Sequence, residues 1–121
     1  MYDDGFKNIY NIDISPIVIE QMTQRNMQRK EMKYEVMNVM DIKYPDNFFD
    51  LAIDKSTIDA LLCGENAFAN VCKMIKEVQR TLKVGGVYMI ISYGNAESRM
   101  SHLLREHLSF QISQYTICKV I

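Results

Sequence analysis

The sequence predicts an α/β domain built around a largely parallel sheet. Three observations carry that prediction. Short β-type runs alternate with helical patterns in the order β-α-β-β-α-β-α-β. Residues 48–53 are dense in apolar side chains, the mark of a strand covered on both faces. The connecting segments are amphipathic, as crossover helices are. With 121 residues there is room for one domain and not for two.

Each element has its own warrant. Residues 8–14 place Tyr10, Ile12 and Ile14 at alternate positions, the period of a strand. Ser15-Pro16 then starts a helix: the serine caps free backbone amides, and proline at the first helical position loses nothing by lacking an N–H. That helix is expected over residues 16–29, with Val18, Ile19 and Met22 on one side and a polar, mostly basic run over 25–33 facing solvent. Residues 34–39 alternate as a second strand, and Pro45-Asp46-Asn47 is turn chemistry. Residues 48–53 are the third strand. After Cys63-Gly64, the residues Phe68, Val71, Cys72, Ile75, Val78 and Leu82 form one apolar stripe of a long helix. Glu65 near its start and Arg80 and Lys83 near its end suit the helix dipole. Gly85-Gly86 is expected to stop it. Residues 87–93 are a fourth strand, residues 98–106 a short helix, and residues 110–120 a fifth strand.

Composition excludes several classes. Fourteen Lys and Arg against fifteen Asp and Glu give a formal charge of −1, which exerts no general pull on nucleic acid or an anionic membrane. No signal-peptide pattern and no apolar run of membrane-spanning length is present. Cys63, Cys72 and Cys118 are odd in number and widely spaced, so neither a disulfide framework nor a metal knuckle is predicted, and a reducing setting is the simplest reading. Nine methionines without a tryptophan read as adaptable core filling.

In an open parallel sheet, ligands sit beyond the carboxyl ends of the strands. Three acidic residues stand there: Asp13 after the first strand, Asp41 after the second and Asp54 after the third. An aspartate at such a place can accept hydrogen bonds from a ribose diol. Taken alone, Asp13 serves equally well as a turn or cap residue. There is no G-x-G-x-x-G, no P-loop and no G-x-S-x-G elbow. His102 and His107 read as surface residues rather than metal ligands, and nothing near Cys63 marks it as an activated nucleophile.

Asn11-Ile12-Asp13-Ile14-Ser15, Met40-Asp41, the run from Phe49 through Asp54-Lys55-Ser56-Thr57-Ile58-Asp59-Ala60-Leu61, and Leu82-Lys83-Val84-Gly85-Gly86 together resemble class I S-adenosylmethionine-dependent methyltransferases. The match is to the branch of lysine methyltransferases acting on translation elongation factor 1-alpha. The D-K-[GS]-T-[IL]-D-A-L run is the distinctive part, and Ser56 stands where that branch usually has glycine. The resemblance covers nearly the whole chain.

The resemblance implies roles. Asp13 would hold the ribose hydroxyls of S-adenosyl-L-methionine, and Ile14 would pack on the adenine. Asp41 would reach the adenine amino group, with the backbone at Met40 or Ile42 completing that pocket. Asp54 and Lys55 would border the methyl donor and the substrate entrance, and Asp54 and Asp59 could orient the acceptor amine. The implied fold is a partial Rossmann-like methyltransferase sheet lacking the usual first, central strand with its Gly-rich loop, and also the last strand. Residues 1–121 are then expected to form a single incomplete domain, completed by a partner chain or a second copy. The implied function is methyl transfer to a protein lysine, with a translation factor among the substrates, in the cytoplasm. The alternative class is a non-catalytic methyltransferase-like module within a larger assembly.

Overall fold

The computed structural model describes residues 1–117, and two short parallel ladders form its framework. After a 3-10 turn at Tyr2–Asp4, strand β1 (Tyr10–Asp13) leads into helix α1 (Pro16–Arg25) and strand β2 (Lys33–Val36). Strand β3 (Phe49–Lys55), helices α2 (Thr57–Leu62) and α3 (Ala67–Thr81), strand β4 (Leu82–Ile91) and helix α4 (Ala96–Leu103) follow. β1 pairs with β2 from Tyr10 opposite Lys33 to Asp13 opposite Val36, and β3 pairs with β4 from Phe49 opposite Leu82 to Lys55 opposite Ile91. Among the described residues no ladder joins β1 to β3.

The strand starts are joined by aromatic rings instead. Tyr10 on β1 meets Tyr44, Phe48 and Phe49 edge-on, with ring centroids 5.3, 5.5 and 5.4 Å apart. This is the geometry that opposed ring quadrupoles favour.

Ser15 caps α1 as its chemistry dictates: its Oγ accepts from the Val18 N–H at 3.3 Å, and Pro16 opens the helix. The helix stops at Arg25, short of the expected end. There the Asn26 backbone leaves helical geometry at φ −117°, and its side chain donates to the Met22 carbonyl. No α1 residue is buried, and Ile17 is 67% exposed.

The core lies in the second half of the chain: Ile42, Ile58, Val71, Met74, Ile75, Val78 and Leu82. Four of the six stripe residues predicted for the long helix are among them, and Met74 joins as adaptable filling. Phe68 lies outside this core and packs near His102, at 5.1 Å between ring centroids.

Five expectations are corrected. Helix α3 starts after Glu65 and ends at Thr81, so Glu65 and Lys83 lie outside it; Lys83 pairs with Asp50 at 3.1 Å. The glycine pair does not stop the helix. Leu82 already pairs with Phe49, and Lys83–Gly86 loops out before Val87 pairs with Leu51. A Cβ on Gly86 would lie 2.8 Å from the Lys83 carbonyl oxygen, so this bulge needs glycine at its base. β3 is not covered on both faces: Ile53 stands open beside Val87, Met89 and Ile91 of β4. Residues 110–117 form no strand, and the rest of the expected fifth strand, with Cys118, lies outside the described residues. His102 is buried rather than superficial, and its Nδ1 accepts from Arg105 Nη2 at 3.2 Å.

Candidate functional site

The carboxyl ends of the strands hold two groups of polar residues. The first stands past β1 and β2. The β1–α1 turn is tight because Asp13 Oδ1 accepts from the Ser15 N–H at 2.8 Å, and the Asp13 carbonyl accepts from the Met37 N–H. Among the described residues, the second carboxylate oxygen of Asp13 takes no hydrogen bond. Ile14, the next residue, is 68% exposed. A half-used carboxylate beside an uncovered aliphatic side chain suits a sugar diol joined to a flat apolar ring.

Past β2, the Met40 N–H donates to Asn38 Oδ1 at 2.9 Å, turning the chain toward Asp41. Asp41 is exposed and pairs with Lys43 at 2.6 Å. Ile42 is placed differently from the pocket wall the resemblance implies. Its side chain belongs to the core, its N–H donates to Glu77 Oε2, and its carbonyl accepts from Arg80. The Asp41 carboxylate is thus the group this loop offers outward.

The second group stands past β3 and β4. Asp54 is buried and inward-facing: Oδ1 accepts from the Thr57 N–H at 2.7 Å, and Oδ2 accepts from the Ile58 N–H and from the Tyr88 hydroxyl at 3.2 Å. It binds the free amides of α2, a task that Ser56, the residue before the helix, leaves undone. Burial, with the negative Asp54 alongside, pushes the Tyr88 phenol far above its ordinary range, so it remains a donor. Lys55 is exposed at the end of β3.

Asp59 gathers the mouth of this half. Its carboxylate accepts from the Ser92 hydroxyl, from the Tyr93 N–H at 3.1 Å and from Arg99 Nη2 at 2.8 Å. Burial would raise its pKa, but these hydrogen bonds and the Arg99 charge outweigh burial and hold the carboxyl below its usual range. Gly94 makes room for the ion pair: a Cβ there would fall 2.0 Å from the Arg99 guanidinium. Tyr93, anchored through its backbone, leaves its side chain 93% exposed.

The structure therefore sets Asp13, Ile14, Met40 and Asp41 at one strand end, and Asp54, Lys55 and Asp59 at the other. A shallow hollow of about 560 Å³ lies on α4, lined in part by Asn95, Glu97, Met100 and Leu104; none of those seven residues lines it. No three side chains able to hold a metal ion gather among the described residues. Sequence reasoning missed Glu77, Tyr88, Ser92 and Arg99. Their partners are 33 to 40 residues away, beyond any local pattern. Arg80 carried a readable signal, a cation three residues after Glu77 on a helix, but it reads as a dipole partner.

Residues 2–116 match the family described as "Methyltransferase domain". The chain belongs to the class I S-adenosylmethionine-dependent methyltransferases. Within them it is similar to the eEF1A lysine and N-terminal methyltransferase of Bos taurus, at 38% identity over 120 residues, covering 94% of this chain and 17% of that protein. A homolog of that enzyme in Drosophila melanogaster is 40% identical over 111 residues, covering 89% of this chain and 15% of its own length. The EEF1A lysine methyltransferase 4 of Mus musculus is 28% identical over 120 residues, 93% of this chain and 47% of that protein. This methyltransferase chain thus spans about one sixth of the bovine relative. The crystal structure of the PH0226 protein from Pyrococcus horikoshii OT3 shares the fold, with a TM-score of 0.63 at 24% identity over 74% of this chain and 40% of that one. The family implies S-adenosylmethionine as methyl donor. The free Asp13 oxygen, the uncovered Ile14 and the outward Asp41 fit its adenosine half. No helix among the described residues is long and apolar enough to cross a membrane.

Proposed function

We propose that this chain forms the adenosine side and the acceptor side of a protein methyltransferase site that acts on a lysine nitrogen. The observation that carries the reading is Asp13: one carboxylate oxygen fixes its own turn, and the other is free beside exposed Ile14 at a strand end. Asp13 holds the ribose hydroxyls, Ile14 covers one adenine face, and Asp41 with the Met40 backbone meets the adenine edge. Ile42 sets the shape of that loop from within the core. S-adenosylmethionine, when bound, supplies an electrophilic methyl group.

The chain's residues do the positioning that an in-line displacement needs. Asp54 orients the β3–α2 turn through its buried hydrogen bonds and so sets where Lys55 stands at the entrance. Asp59 holds Ser92, Tyr93 and Arg99 in one arrangement beside it. Both carboxylates are engaged, so the acceptor lysine loses its proton to water rather than to either aspartate. The relatives named for eEF1A support a translation factor as the protein substrate, in the cytoplasm. The residues act within a single methyltransferase domain whose sheet another strand completes, from a partner chain or a second copy.

The test uses the protein that carries this chain. Asp13→Ala should weaken S-adenosylhomocysteine binding by about 1–3 kcal/mol, the cost of leaving hydrogen-bonding groups unpaired. Unchanged affinity with lowered stability would reduce Asp13 to a turn residue. A second reading, a non-catalytic interaction module, draws on the open face formed by Ile53, Val87, Met89 and Ile91. Cofactor binding without methyl incorporation into eEF1A would favour it.

A further inference from the structure

The densest polar cluster away from the strand ends is at the C-terminal end of α3. Glu77 Oε2 accepts from the Ile42 N–H at 2.9 Å, and Arg80 Nη2 donates to the Ile42 carbonyl at 2.7 Å. Arg80 Nη1 donates to the Tyr44 carbonyl at 2.9 Å and to Asp46 Oδ1 at 2.7 Å. The two side chains also pair with each other, Nε to Oε1 and Nη2 to Oε2, both at 2.9 Å. The Asn47 and Phe48 N–H groups finish the seam on the carbonyls of Arg80 and Thr81. One turn of helix thereby holds the whole loop between β2 and β3.

The grip falls at a telling place. The Ile42 N–H belongs to the peptide that joins it to Asp41, and the Ile42 carbonyl to the peptide after it. With both planes pinned and the Ile42 side chain buried, the backbone of Asp41 is fixed on its C-terminal side. The Asp41 carboxylate meanwhile stays exposed, with Lys43 as its partner. A clamp needed only to close the loop has Tyr44, Asp46, Asn47 and Phe48 for that purpose.

We propose that Glu77 and Arg80 are positioning residues for the adenine pocket, holding the Ile42 peptides so that Asp41 presents its carboxylate to the exocyclic amine of the purine. This rests on the cofactor reading given above. The arginine matters as a fork: it reaches two carbonyls and two carboxylates at once, which a lysine point charge cannot do.

The test compares two ligands by calorimetry in the protein that carries this chain. One is S-adenosylhomocysteine; the other is S-inosylhomocysteine, which has a carbonyl oxygen where adenine has the amine. The wild type should prefer the adenine compound. Arg80→Met should lose about tenfold in affinity for it, the scale of one hydrogen bond left unmade, with little change for the inosine compound. Asp41→Ala should shrink the preference equally, and the double variant no further. Arg80→Lys and Glu77→Gln should give intermediate losses, and they carry the comparison if Arg80→Met does not fold. If the Arg80 and Glu77 variants lower the melting temperature but weaken both ligands alike, the clamp is structural only and the proposal fails while the cofactor reading stands. If the wild type binds neither compound, both fail.

Discussion

Ser56 occupies the left-handed region at φ 66° and ψ 6°. A Cβ is unfavourable there by about 1–2 kcal/mol, partly offset by the extra freedom glycine has when unfolded. Ser56→Gly should therefore stabilise the chain by about 0.5–1 kcal/mol, seen as a higher urea midpoint at unchanged slope. The sequence marks Ser56 as a departure from the branch pattern; only the backbone shows that the turn into α2 asks for glycine. The same division runs through the site. Asp13, Asp41 and Asp54 are legible because strand ends can be read from period and turn chemistry. That Asp54 faces inward is not legible, because Tyr88 reaches it across 34 residues. Asp59 gives a pH prediction. Its folded pKa is depressed, so its contribution is present above its ordinary value of 3.8 and is lost as pH falls through the folded value. Glu77, also depressed by Arg80, acts the same way from its ordinary 4.5. The urea midpoint should fall below about pH 4.5, and less steeply in Asp59→Asn.

At the scale of elements, the junction of α3 and β4 decides how the second half is built. The helix ends at Thr81 and pairing begins at Leu82, with no connecting loop. Slack is taken up by the Lys83–Gly86 excursion, whose Val84 is fully exposed. Gly86→Ala would press a Cβ against the Lys83 and Asp50 carbonyl oxygens, at 2.8 and 3.2 Å. A loss of about 1–3 kcal/mol is expected, the range for forcing extra volume into a filled site, read from thermal melting. The apolar stripe made α3 easy to read, since its spacing is a property of the helix itself. The bulge was misread as a helix stop because a glycine pair signals an interruption without saying which element is interrupted. The open face of β3 was misread because an apolar run shows what a strand could cover, not what covers it.

At the scale of the whole molecule, the chain exposes 9020 Å². A compact monomer of its mass would expose about 6,700 Å². β1, α1 and β2 contain no buried residue, whereas the second half holds the core. Isolated two-stranded ladders are marginal, so the two halves differ sharply in local stability. The amides of Ile12 and Val36 should exchange with deuterated water far sooner than those of Met74 and Ile75, in mass-spectrometric exchange on the protein that carries this chain. The aromatic rings that join the strand starts then take on a mechanical meaning. Tyr10, Tyr44, Phe48 and Phe49 act as the spine of a book whose covers are the two ladders, and Asp13 and Asp54 lie on the fore-edge. A molecule gripped at that edge limits how far the covers swing, and its presence would be recorded as slower exchange at the far side of the hinge.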